Sequence, residues 1–211
     1  MMKFNLSVSI FLIVIFTNAF GKKAKVLAFI PKTFKAQVEQ VIVSSLSDKG
    51  KKTKTYGTIE YKYPGNFRYE EKDKIVFVAN KNKSWYYTPP FIKGQPGDLQ
   101  LDPMKGKFPL SMFFDALTRG LNSNKLYKVK KLKKAFKLVF NDKFSKRMGF
   151  GNAILVFKSS AYLNFEGLKT VQITKLNGKK VTFNMLSIKR DVQFGSKRFI
   201  FTPPANTKIS Q

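Results

Sequence analysis

Between residues 34 and 202 the apolar side chains recur at every second position in one short segment after another, and the rhythm breaks only once. Period two marks strands with one buried face, so the alternation commits most of the chain to β-structure. Strands are expected over residues 34–46, 56–63, 66–70, 75–78, 84–87 and 98–102, and again over 126–132, 136–140, 154–157, 170–174, 181–188 and 199–202. Asp48-Lys49-Gly50-Lys51-Lys52 is a turn after the first of these, and Asn177-Gly178 is a tight-turn signal joining 170–174 to 181–188 in a hairpin. The interruption falls between the two groups. Leu110, Phe113, Phe114, Leu117 and Leu121 lie at i, i+3, i+4, i+7 and i+11, one face of a helix, with Pro109 suited to its first position and Gly120 to its end. A sheet of this many strands must curl, and a curled sheet encloses a cavity or a side-chain core. The expected fold is therefore mainly β: a single-domain incomplete antiparallel barrel, or strongly curved sheet, with the helix as a lid over its concave side.

The alternation also assigns faces. Ile59, Tyr61 and Tyr63 are expected on one side of their strand, with Thr58, Glu60 and Lys62 on the other. Phe67 and Tyr69 share a face opposite Arg68 and Glu70. The apolar face is unusually aromatic, whereas a core normally mixes Leu, Val and Ile with few rings. Two readings stay open: the rings pack as an ordinary core, or they line a pocket for an apolar ligand. Ser84-Trp85-Tyr86-Tyr87 reads as structural core.

Composition narrows the chemistry. Cysteine and histidine are both absent, which excludes thiol nucleophiles, disulfides, Cys/His zinc sites and a Ser-His-Asp triad. The 12 acidic residues are scattered, with no pair that can be placed across a cleft for hydrolysis, and no P-loop is present. The chain is read as a non-enzyme without a cofactor or a metal. Against those 12 acids stand 40 Lys and Arg, giving a formal charge of +28 that attracts anionic surfaces. Only five of the cations are Arg, which weighs against base reading in DNA, and no nucleic-acid partner is expected. The densest run, Lys125-Leu126-Tyr127-Lys128-Val129-Lys130-Lys131-Leu132-Lys133-Lys134, is either a solvated strand and turn or a transient contact with an anionic membrane surface.

Residues 1–21 have the layout of a cleaved secretory signal peptide: Lys3, an apolar run centred on Ile10-Phe11-Leu12-Ile13-Val14-Ile15-Phe16, then Ala19-Phe20-Gly21. Residues 22–211 form the mature domain, expected to be an exported monomer.

Three segments then fall in order. The first is Gly57-Thr58-Ile59-Glu60-Tyr61-Lys62-Tyr63-Pro64-Gly65-Asn66-Phe67-Arg68-Tyr69. The second runs from Val76-Phe77-Val78 to Ser84-Trp85-Tyr86-Tyr87, and the third is Phe199-Ile200-Phe201-Thr202-Pro203-Pro204. Together they resemble the outer-membrane lipoprotein carrier protein family (LolA-like), over roughly residues 34–210. That resemblance implies an incomplete barrel with a helical lid and a periplasmic location. It also implies acylated lipoproteins as cargo, taken from an inner-membrane lipoprotein-releasing ABC transporter and passed to an outer-membrane acceptor. By that resemblance Phe67 and Tyr69 meet the acyl chains, with Leu110, Phe113, Phe114 and Leu117 as the inward side of the lid; Ile59, Tyr61 and Tyr63, which the alternation puts on the apolar face, complete the expected acyl-chain site. The alternative is a periplasmic lipid or glycolipid binder of the same fold. Two departures stand out. Tyr63 occupies the place of an Arg that latches the lid through backbone carbonyls, so a weaker or different latch is expected. The family also opens with a long helix, and here Pro31 interrupts residues 22–33, so that helix is expected to be short or missing.

Overall fold

The computed structural model describes residues 28–43, 52–102 and 108–210; the expected leader (1–21), residues 44–46 of the first predicted strand and nearly all of the 48–52 turn lie outside them. The strands are β1 (Thr33–Val43), β2 (Lys52–Lys62), β3 (Asn66–Glu71), β4 (Val76–Ala79), β5 (Ser84–Thr88), β6 (Gly97–Asp102), β7 (Tyr127–Leu132), β8 (Ala135–Phe140), β9 (Phe150–Phe157), β10 (Leu168–Lys175), β11 (Lys180–Arg190) and β12 (Thr207–Ser210). The helices are α1 (Pro109–Leu117) and α2 (Asp142–Met148). All twelve strands belong to one sheet in the order β12-β6-β5-β4-β3-β2-β1-β11-β10-β9-β8-β7. It is an open, curled sheet, not a closed barrel. Strands β2, β1 and β11, each of eleven residues, form its middle. A register shift at Gln37/Val38 and two more along β9 and β10 supply the local kinks that help such a sheet curl.

The inner face carries the main core. Phe34, Ala36, Val38, Ile59, Tyr61 and Phe67 from β1–β3 meet Leu138, Phe140, Leu155, Phe157, Val171, Ile173 and Phe183 from β8–β11, and α1 lies across them. A smaller cluster occupies the outer face of β4–β6: Val76, Val78, Trp85, Tyr87 and Leu99 are covered by Phe194, Phe199 and Phe201 of the C-terminal segment.

That arrangement corrects one expectation. Residues 199–202 are not a strand; Phe199 and Phe201 turn down onto the outer face, and the prolines that follow have no amide hydrogen to donate to a ladder. Pairing resumes only at β12, which runs parallel to β6 in an otherwise antiparallel sheet. Helix α1 also ends earlier than the apolar stripe: Leu117 is its last residue, and Leu121 packs against the core from beyond the turn at Gly120 (φ 85°). Helix α2 was not expected. Asn141 caps it by accepting from the Phe144 amide at 2.8 Å, and Gly149 closes it at φ 71°.

Candidate functional site: the covered inner face

Nine residues are too few to hold a helix in water, and Phe108 at the N-cap contributes no side-chain hydrogen bond to α1. The helix persists because of what it covers. Phe113, Phe114 and Leu117 point into the sheet and are almost fully buried. Phe114 is central: its ring centroid lies 5.2 Å from Phe34, 5.6 Å from Tyr61, 6.1 Å from Phe67 and 5.3 Å from Phe113. These separations are those of favourable aromatic pairs. Phe108, just before the helix, stacks on Phe77 at 4.0 Å and reaches Phe67 at 5.3 Å.

A few polar contacts pin the helix at its edges. The Tyr61 hydroxyl donates to Asp115 Oδ1 at 2.6 Å, and the Gly65 amide donates to the same oxygen at 3.0 Å. Farther along, the Tyr127 hydroxyl lies 2.5 Å from the Gly120 carbonyl and 3.2 Å from that of Ala116. The Phe29 amide donates to the Leu117 carbonyl at 3.3 Å. Burial first, and the neighbouring Asp115 carboxylate second, push the Tyr61 phenol far above its ordinary value; burial likewise raises Tyr127. Both phenols therefore remain donors at any physiological pH.

The remaining opening is modest. A cavity of about 250 Å³ sits at the start of α1, between Phe108, Pro109 and Leu110 and the inner-face residues Gln40, Ile42, Phe150, Ile173, Val181 and Phe183. Cavities for drug-sized ligands run from about 300 to 1,000 Å³, so in this conformation the rings themselves fill most of the hollow.

The expected site residues divide accordingly. Ile59, Tyr61, Phe67, Phe113, Phe114 and Leu117 are buried in one cluster, and Tyr69 and Leu110 pack partly buried against it. Tyr63 does not share that face. Strand β2 ends at Lys62, the chain enters the turn through a cis Tyr63–Pro64 peptide, and Tyr63 is 44% exposed. Alternation misplaced it because the strand stops one residue short. Sequence reasoning missed Asp115 and Tyr127, the two side chains that tie the helix down. An acid inside an otherwise apolar helix was the available sign for Asp115. The segment before β1 shows no helix over residues 28–32; instead Ile30 is buried and Phe29 packs edge-on to Phe157 and Phe165.

The described residues hold no cluster of acids arranged to bind a metal ion, and no helix among them is long and apolar enough to cross a membrane. No protein-family model matches the chain, and no curated protein matches it. Solved structures to which the chain is similar include an uncharacterized conserved protein from Thermus thermophilus (12% identity, TM-score 0.46, covering 85% of this chain and 90% of that one). A putative outer membrane lipoprotein-sorting protein domain from Vibrio parahaemolyticus is 11% identical (TM-score 0.39; 80% and 89% covered). A LolA superfamily protein from Nitrosomonas europaea is 7% identical (TM-score 0.41; 83% and 93% covered).

Proposed function

We propose that this chain is a periplasmic carrier that takes the acyl chains of lipoproteins between the inner face of its sheet and helix α1, and moves them from the inner to the outer membrane. The observation that carries the reading is the helix itself: a nine-residue segment that owes its fold to an aromatic surface and is pinned by a handful of hydrogen bonds. Acyl chains can replace the first kind of contact, and water can satisfy the second once the helix lifts.

The magnitudes suit a shuttle. Three long acyl chains represent on the order of 30 kcal/mol if fully buried, at about 0.8 kcal/mol per CH₂. A protein that recovered all of it would never release its cargo. Here each ring that turns toward cargo gives up a partner ring, so only part is recovered. Loading would draw on a donor ABC transporter, and unloading on an acceptor that buries the chains better. Phe67, Tyr69, Ile59, Tyr61, Leu110, Phe113, Phe114 and Leu117 would line the filled hollow, with Tyr63 at its rim.

The test is release of radiolabelled, fully acylated lipoprotein from spheroplasts by the purified mature protein. Phe67→Leu and Phe67→Glu variants run beside it, each checked for folding by thermal unfolding. A soluble one-to-one complex with the wild type, weakened by a folded Phe67 variant, supports the carrier. No release, together with phospholipid or glycolipid extracted from the protein, transfers the function to a lipid binder of the same fold.

A further inference from the structure

A second cavity, of about 290 Å³, lies outside the inner face, between the flank of α1 and α2. Its lining combines the buried or half-buried apolar side chains of Met112, Leu126 and Phe144 with the exposed Arg119 and Arg147, beside Tyr63, Asp115 and Ala116. Of 40 cations in the chain only five are Arg, so two in one cleft is a concentration. The other three (Arg68, Arg190 and Arg198) are each paired with a carboxylate, whereas among the described residues Arg119 and Arg147 make no such pair. The one acid of the cleft, Asp115, turns its Oδ1 to the Tyr61 hydroxyl and the Gly65 amide, which offset its charge. The surroundings reinforce the field: residues 116–158 contain twelve Lys and Arg and a single acid, Asp142.

A guanidinium presents a planar fork that matches a phosphate or carboxylate with two parallel hydrogen bonds, a geometry that a lysine cannot copy. Two unpaired forks beside apolar side chains in one cleft fit a ligand with an oxyanion at one end and hydrocarbon next to it. We infer that this cleft binds the phosphate group of an anionic phospholipid, with the first carbons of the lipid on Met112, Leu126 and Phe144. It lies beside the covering helix but not beneath it, so this inference stands independently of the carrier reading.

The test is calorimetric titration of the full mature protein with dihexanoyl-phosphatidylglycerol, dihexanoylglycerol and inorganic phosphate in turn. The expected result is one-to-one saturation by the phosphatidylglycerol and none by the diacylglycerol. Phosphate alone should bind at least tenfold more weakly than the lipid. Arg119→Lys with Arg147→Lys, which keeps the charge and removes the forks, should weaken lipid binding at least tenfold. Lys128→Gln with Lys130→Gln, on exposed β7, should change it less than twofold. Equal weakening by the two pairs would reduce the effect to general charge and overturn the site. Phosphate binding as tightly as the lipid would overturn the assignment to a lipid and leave a free-anion site. Because Arg119 and Arg147 lie outside the ring cluster, failure here leaves lipoprotein release unchanged, and failure of the Phe67 test leaves this titration unchanged.

Discussion

The Tyr61 hydroxyl on β2 donates to the Asp115 carboxylate on α1 across 2.6 Å, and these residues lie 54 positions apart in the chain. Through this contact the helix is held by its own carboxylate, which accepts from the sheet's phenol and from the Gly65 amide. From the other side the Tyr127 hydroxyl reaches the Ala116 carbonyl of the helix and the Gly120 carbonyl of the turn that follows it.

Removing the donor should loosen the helix before it unfolds the protein. A hydrogen bond to a charged group is worth about 1.5–3 kcal/mol, so Tyr61→Phe is expected to lower stability by about that much. The loss should fall first on α1, whose amides from Met112 to Leu117 should exchange with deuterium roughly tenfold to a hundredfold faster than in the wild type. Asp115→Asn, which keeps an acceptor oxygen without the charge, should give a smaller acceleration. Unchanged exchange in both variants would show that the rings alone hold the helix.

What the sequence made legible follows from what each feature depends on. Strand positions and the inner face of β2 and β3 rest on local alternation, and Ile59, Tyr61, Phe67 and Tyr69 landed where that alternation put them. Helix α2 has only Phe144 and Met148 as an apolar pair, too short a stripe to register a period, although Asn141, Asp142, Arg147 and Gly149 spell its ends. Residues 199–202 alternate like a strand because they bury one face, but against the back of the sheet and not in its ladder. Asp115 showed itself only as an acid inside an otherwise apolar helix; its partners, Tyr61 on β2 and Gly65 in the turn after it, lie 54 and 50 positions away, and spacing carries no record of those distances.

A second charge contact fixes the C-terminal segment to the back of the sheet. Glu60 is only 2% exposed and receives Arg198 through Nε at 2.5 Å and Nη2 at 2.9 Å, with Lys35 Nζ at 3.1 Å. Burial pushes the Glu60 carboxyl up, but the hydrogen bonds from Arg198 and Lys35 outweigh it and hold the group below its ordinary 4.5. A folded-state value below the unfolded one means the stabilisation is complete above about pH 4.5 and is lost as pH falls through the lower folded value. Arg198→Ala leaves a buried carboxylate with Lys35 alone and should cost about 2–4 kcal/mol, discounted for the half-open position of the guanidinium. Limited proteolysis near Phe194–Phe201 should accelerate in that variant at pH 7 and in the wild type on acidification.

Tyr69 sets a limit on the alkaline side. Its hydroxyl is buried without a hydrogen bond of normal geometry among the described residues, with Thr55 and Glu71 as its polar neighbours, and burial is the main force pushing the phenol up to about 12 from 10. A raised value keeps the contribution intact below pH 10 and removes it as pH climbs from 10 through 12. Tyr69→Phe deletes an unsatisfied group, so at pH 7 it should be neutral or stabilising by up to about 1 kcal/mol. The alkaline limb of its stability–pH curve, followed by thermal unfolding from pH 8 to 11, should shift upward. A destabilised Tyr69→Phe at neutral pH would mean that the hydroxyl has a bonding partner after all.

The same ring explains a glycine in the interior of an eleven-residue strand. Gly57 faces β3, and a Cβ placed there would come within 2.6 Å of the Tyr69 ring and 2.8 Å of the Glu70 carbonyl oxygen. The ring can swing away, but the carbonyl belongs to the backbone of the paired strand and cannot move without disturbing the ladder between β2 and β3. Gly57→Ala is therefore expected to destabilise by about 1–3 kcal/mol, which for a chain of this size is a fall in Tm of about 2–12 °C. A double-mutant cycle with Tyr69→Ala separates the two clashes. Removing the ring should relieve part of the Gly57→Ala penalty, and the part that survives measures the cost of the carbonyl contact. Full rescue would show that the ring alone demands the glycine; no rescue would place the whole constraint on the backbone.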